Sequence, residues 1–159
     1  MISSMITGSI LAKYEAAFAV IPLLVTFIPM LTDTGGNAGS QSSTMIIRGM
    51  AVGEIEAGDI LRVLWKELRV GVIVGVLLGL VNYIQLVIRF PGQEMLCLTV
   101  VLSLLATVML AKTIGCVLPI AAQVLHLDPA IMAAPLITTI VDAVSLIIYF
   151  QLACSLLKI

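Results

Sequence analysis

The sequence predicts an all-α membrane protein, and three observations carry that expectation. Hydrophobic residues make up 61% of the 159-residue chain and charged residues only 11%, against roughly 45–50% and 25% in soluble domains. Mean hydropathy is +1.21. The few charges also punctuate the chain, separating apolar segments long enough for helices. A water-soluble protein of this size would lack the charge to cover its surface, so the bilayer is the expected solvent and membrane lipid the expected surroundings. A net charge of −1 and 5% aromatics offer no basic surface for nucleic acid. Cys97, Cys116 and Cys154 are odd in number and lie in apolar runs without C-x-x-C spacing, so they read as small buried residues rather than a disulfide framework or a metal site.

The segments follow in order. Residues 1–12 are apolar and close at Lys13-Tyr14-Glu15. Ala17-Phe18-Ala19 imitates a signal-peptidase site, but the early cation follows the apolar run instead of preceding it, the wrong order for a signal peptide. The run therefore reads as the end of a membrane helix whose beginning is missing or unusually short, since twelve residues rise only ~17 Å of a ~30 Å hydrocarbon core. Ala16 to Leu31 is the second apolar run, with Pro22 and Pro29 inside it, and it leads into the polar, glycine-rich stretch from Thr32 to Thr44. Arg48 to Arg69 holds four of the eight cations and four of the nine acids and is the expected main hydrophilic connection. Leu68–Ile88, Met95–Val124 and Ala130–Leu157 are the remaining spans, turned at Arg89-Phe90-Pro91-Gly92 and at His126-Leu127-Asp128-Pro129. His126 belongs to an ordinary turn. Pro22, Pro29, Pro119 and Pro135 are expected to mark kinks or helix starts. No repeat or linker divides the chain, so residues 1–159 read as one domain.

Arg48, Arg62, Lys66 and Arg69 cluster on one connection, which the positive-inside rule places in the cytoplasm. The turns at Lys13 and Arg89 then face outside and the His126 turn faces inside.

Polar groups at membrane depth need a reason, because a central Asp or Lys costs about 2.5–3.5 kcal/mol on insertion scales. Three places qualify. If the glycine-rich stretch is helical, Asp33, Asn37, Gln41, Thr44 and Arg48 fall on one face and Ser40 joins them, while Gly35, Gly36 and Gly39 either break the helix or admit another backbone. Such a stripe cannot face lipid. It is either interhelical hydrogen-bonding glue or the lining of a hydrophilic path. The second place is Asp142, near the middle of the last span, with Ala134, Thr138 and Ser145 on the same face. A lone carboxylate on a small, hydroxyl-bearing stripe suits a cation pathway; the alternative is a protonated or Lys-paired structural Asp. The third is Lys112, expected as a stem that snorkels to the inner interface, the alternative being a counter-ion to Asp142 or Glu67. Gly71, Gly75 and Gly79 form a ladder suited to close packing of the third span. Asp33-Thr34-Gly35 imitates an aspartic-protease loop, but no strand pattern surrounds it and no enzyme is expected.

The run Phe27-Ile28-Pro29-Met30-Leu31-Thr32-Asp33-Thr34-Gly35-Gly36-Asn37-Ala38-Gly39-Ser40-Gln41-Ser42-Ser43-Thr44, continuing to Ile47-Arg48-Gly49, resembles the signature of the MgtE family of magnesium channels. Lys66-Glu67-x-x-x-Gly71-x-x-x-Gly75, Asp128-Pro129-Ala130 and Pro135-Leu136-Ile137-Thr138-Thr139-Ile140-Val141-Asp142 add to the likeness, in the family's order. The resemblance implies a homodimer with five membrane helices per subunit in a bacterial-type inner membrane. Its pore would run at the subunit interface, lined by the second and fifth helices, and pass hydrated Mg²⁺ inward. Asp142 then matches the selectivity aspartate, Thr138 the place whose carbonyl helps hold the ion's waters, and Gly35, Gly36, Asn37 and Gln41 the second-helix motif. Ala134 stands where some members carry a pore-facing Asn, and Lys112 replaces a neutral polar residue of some relatives. The soluble N-terminal domain and CBS-domain pair usual in the family have no counterpart in these 159 residues.

Mg²⁺ sheds its waters reluctantly and is usually held through them plus one or two carboxylates. Two Asp142 side chains facing across a symmetry axis would supply those charges. Permeation of Co²⁺, Ni²⁺ or Mn²⁺ is the neighbouring expectation, and a non-conducting membrane scaffold the distant one.

Overall fold

The structure, a computed structural model, describes residues 2–132 and 134–158 and contains no strand among them. Helix α1 spans Ile2–Lys13 and α2 Glu15–Val20. Ile21 is extended ahead of Pro22, as a residue before proline prefers, and Pro22 opens the 3₁₀ turn Pro22–Phe27. Helix α3 runs over Ile28–Ala51 with Pro29 in its first turn, where the missing N–H is no loss. The glycine-rich stretch is therefore continuous helix, and its glycines admit neighbours instead of breaking it.

Gly53, at φ 74°, ends α3. The Gly53 and Glu54 N–H groups donate back to Met50 and Gly49, satisfying carbonyls that a helix end would otherwise leave bare. After the turn Ala57–Asp59, α4 spans Ile60–Arg89 and α5 spans Glu94–Val124. Helix α4 thus begins before the apolar run at Leu68, so much of the expected hydrophilic connection is helix. His126, at φ 57°, closes α5 in the same way: its N–H donates to Gln123 and that of Leu127 to Ala122. It is a helix cap. The turn Pro129–Met132 leads to α6, Ala134–Leu157.

Helix α5 is the centre of the bundle, packed by α3, α4 and α6, while α3 also packs on α6 and α1 lies against α6. Glycines set these distances. A Cβ on Gly71, Gly75 or Gly79 would touch Met109 and Lys112, Leu105, and Val101 respectively, so the ladder on α4 is the seam against α5. The opposite side of α4 exposes Ile73, Leu77, Leu80, Ile84 and Ile88, a lipid-facing surface. At the α3–α5 crossing a Cβ on Gly115 would collide with the Gly39 carbonyl oxygen. Gly115→Ala is expected to destabilise the bundle by about 1–3 kcal/mol through overpacking. An unchanged unfolding temperature in detergent would contradict this crossing. At the other end, the Tyr149 hydroxyl donates to the Leu24 carbonyl at 2.9 Å, and Tyr14 stacks on Phe150 at 4.8 Å, tying the N-terminal elements to α6.

Among the described residues three helices are long and apolar enough to cross a membrane: Ala57–Arg89, Glu94–Val124 and Pro135–Leu157. Helix α3 has 24 residues, enough to rise ~36 Å, but it is far more polar. Helix α1 has 12 residues.

Candidate functional site

Four-residue spacing on two adjacent helices builds a polar groove. From α3 come Pro29, Thr32, Asp33, Gly36 and Asn37, and from α6 come Thr138 and Asp142, around an open cavity of about 310 Å³. Gly36 forms its floor: a Cβ there would sit 3.3 Å from Thr138 Cγ2, so the helices approach without filling the space. Proline starts both helices. Pro135 is the second residue of α6, and its carbonyl accepts the hydroxyls of Thr138 at 3.1 Å and Thr139 at 2.8 Å, which fixes the rotamers of the turn leading to Asp142.

Asp142 is half-buried, and no cation pairs with it among the described residues. Asp33 and Asn37 are exposed one turn apart on the facing helix. The groove thus presents two carboxylates, a carboxamide and hydroxyls on the outside of a single chain, within apolar surroundings. Such a surface cannot face acyl chains. Among the described residues no three His, Cys, Asp or Glu come together as a metal cage. The chemistry on offer is instead a charged, oxygen-rich wall with room for water, suited to a cation that keeps most of its hydration shell.

Of the residues expected from sequence, Gly36, Asn37, Thr138 and Asp142 meet in this groove. Gln41 and Thr44 extend the exposed stripe of α3 beyond it. Gly35 and Ser145 do not line the groove. Gly35 is buried, and a Cβ on it would press on Thr107, Val141 and Ser145. Ser145 is buried with its hydroxyl donating to Val141 at 2.6 Å. Both belong to the α3–α5–α6 packing, because one position on a helix turns a side chain by about 100°. Ala134 opens α6, and its side chain lies outside the described residues. Asp142 is also displaced from the expected midpoint. The turn Pro129–Met132 consumes the start of the span, leaving Asp142 eight residues into a 24-residue helix, ~12 Å along ~36 Å. Asp33, read from sequence as part of the stripe, joins the groove directly.

Lys112 does not snorkel. Its ammonium donates to Glu67 Oε2 at 3.1 Å and to Ser42 Oγ at 3.2 Å, and the Ser42 hydroxyl donates to the same carboxylate oxygen. The two charged side chains are 6% and 5% exposed. This trio joins α3, α4 and α5 and removes Lys112 as a partner for Asp142. Pairing with Glu67, the alternative weighed for Lys112 from sequence, is the arrangement found; the part of Ser42 has no sequence signal, since no local spacing links positions 42, 67 and 112.

An all-helical bundle with three membrane-length apolar helices and a polar groove between two of its helices defines a multi-pass membrane protein. The MgtE profile, described as a divalent cation transporter, matches residues 28–152. The chain is 34% identical over 158 residues to the magnesium transporter MgtE of Thermus thermophilus, covering 99% of this chain and 35% of that protein. It is 35% identical over 149 residues to the magnesium transporter MgtE of Bacillus subtilis, covering 94% and 33%. For the magnesium transporter MgtE of Enterococcus faecalis the identity is 29% over 155 residues, covering 97% and 34%. The chain belongs to the MgtE family, a family of transporters and not of enzymes. It spans about a third of the length of these relatives.

Proposed function

We propose that this chain forms the membrane pore of a homodimeric Mg²⁺ transporter. In this reading five helical segments cross or enter the bilayer of the cell membrane: α1 with α2, then α3, α4, α5 and α6. The α3–α6 grooves of two copies face each other across the two-fold axis. The observation that carries the reading is Asp142, half-buried, without a cationic partner, and set in an open polar groove that must meet water or protein rather than lipid. An isologous pairing presents the same residues from both copies, so the two Asp142 carboxylates clasp the hydrated ion through its waters, with Thr138 and Asn37 as neighbouring polar groups. The positive-inside rule places the Arg48–Arg69 side in the cytoplasm.

Metal-dependent uptake into proteoliposomes tests this directly, comparing the unmodified chain with Asp142→Asn. The expected result is Mg²⁺ entry that the neutral variant loses. Equal entry would remove Asp142 from the pathway. Asn37→Ala is expected to lower the flux several-fold while leaving some conduction, since it removes one polar group from the wall and no charge. An unchanged flux would return Asn37 to helix packing. The family's description as divalent cation transporters also favours passage of Co²⁺, Ni²⁺ or Mn²⁺, which accept carboxylate and water ligands. Competition by each metal in the same liposomes separates these cargoes.

A further inference from the structure

A second cavity, of about 750 Å³, lies between the end of α3 and the start of α4, away from the Asp142 groove. Arg48 from the last turn of α3 lines it with Arg62, Lys66 and Arg69 of α4. The spacing of four and then three puts the α4 cations on one face. They meet the carboxylates of Glu54, Asp59 and Glu67. Glu67 is already neutralised by Lys112 from behind the wall, and Asp59 accepts the Glu56 N–H. The cavity is left with an excess of positive charge, and Arg48, Arg62 and Lys66 have no ion-pair partner among the described residues.

Its setting indicates what the cations meet. Those of α4 sit at the start of its apolar run, where a membrane helix meets the headgroups. Trp65 lines the cavity, is 62% exposed and lies 5.9 Å from the Arg69 guanidinium. Tryptophan at this level is an interfacial anchor. Ile73 and Leu77 expose apolar surface further along the same helix, a track for an acyl chain. We propose that this cavity binds the phosphate of an anionic phospholipid, with Arg48, Arg62 and Lys66 around the headgroup and its chains laid along α4. Basic pockets between membrane helices recognise lipid phosphates in this way. The site is independent of the ion pathway proposed for Asp142.

Native mass spectrometry of the detergent-purified chain tests the assignment, with dioleoyl phosphatidylglycerol, dioleoyl phosphatidylcholine and inorganic phosphate as probes. Phosphatidylglycerol is expected to bind in preference to phosphatidylcholine. At about 1 kcal/mol per cation, Arg62→Gln combined with Lys66→Gln weakens it roughly thirty-fold. Both side chains are exposed, so circular dichroism of the variant should match the unmodified chain, which keeps the comparison valid. Equal retention of the two lipids, or undiminished phosphatidylglycerol binding by the double variant, would overturn the proposal. Displacement of the lipid by millimolar inorganic phosphate would also overturn it, assigning the cavity to a soluble anion.

Discussion

Asp142→Ala is expected to reduce Mg²⁺ uptake to the level of empty liposomes while the purified protein keeps its helicity and assembly state. The separation of effects follows from position. Asp142 is half-buried on an open groove and makes no ion pair among the described residues, so its removal leaves no orphaned partner and no closed cavity. Substitutions away from such features usually cost within about 0.5 kcal/mol. Function has no such reserve. In a dimer one substitution deletes two charges at once, and a hydrated divalent cation without a counter-charge faces the dielectric barrier of the bilayer. Flux measured by a Mg²⁺-sensitive dye, beside size-exclusion chromatography of the same preparation, checks both halves. Full flux in Asp142→Ala would contradict the pathway; a collapsed assembly would make Asp142 a structural residue.

Glu67→Met should have the opposite profile, with a large loss of stability of about 3–5 kcal/mol because the Lys112 ammonium is left buried and unpaired. Lys112→Met strands the carboxylate in the same way. The pair replaced together, Glu67→Met with Lys112→Met, should lose less than either single change, since apolar side chains of similar size restore packing without an uncompensated charge. Thermal unfolding in detergent of the four proteins forms the double-mutant cycle. Additive losses would mean that the 3.1 Å contact carries no coupling energy.

The membrane class and the order of helices were legible because they rest on composition and on runs of apolar residues, which any bilayer imposes. The α4 glycine ladder was legible for the same reason: Gly71, Gly75 and Gly79 share a face whatever they pack against. Within the groove, Asp142, Thr138 and Asn37 are legible from four-residue periodicity on two separate helices, and Gly36 only from the family resemblance. Gly35, expected from the resemblance, and Ser145, expected from periodicity, lie in the packing seam instead, since whether a residue at the border of a stripe faces the groove or the seam depends on which neighbour lies beside it. The place of Asp142 along its helix differs from the expected midpoint because a short 3₁₀ turn, in an apolar sequence indistinguishable from helix, takes up the start of the span. The snorkelling expected of Lys112 is not found, and the alternative of a Glu67 counter-ion is. An isolated lysine in an apolar helix snorkels by default, and only the approach of α3 and α4, enabled by the small residues at Gly39, Gly71 and Gly115, encloses it with Glu67.

The most direct measurement is the proximity of the two Asp142 positions in a membrane-embedded dimer. A Mg²⁺ ion with water at ~2.1 Å and a further hydrogen bond of ~2.7 Å on each side separates the carboxylate oxygens by about 8–9 Å. Asp142→Cys, introduced after Cys97, Cys116 and Cys154 are replaced by alanine, should then be joined into a covalent dimer by a bifunctional thiol reagent of similar reach. Ile73→Cys on the exposed face of α4 should stay monomeric. Dimers through position 73 and none through 142 would contradict a shared ion between the two aspartates.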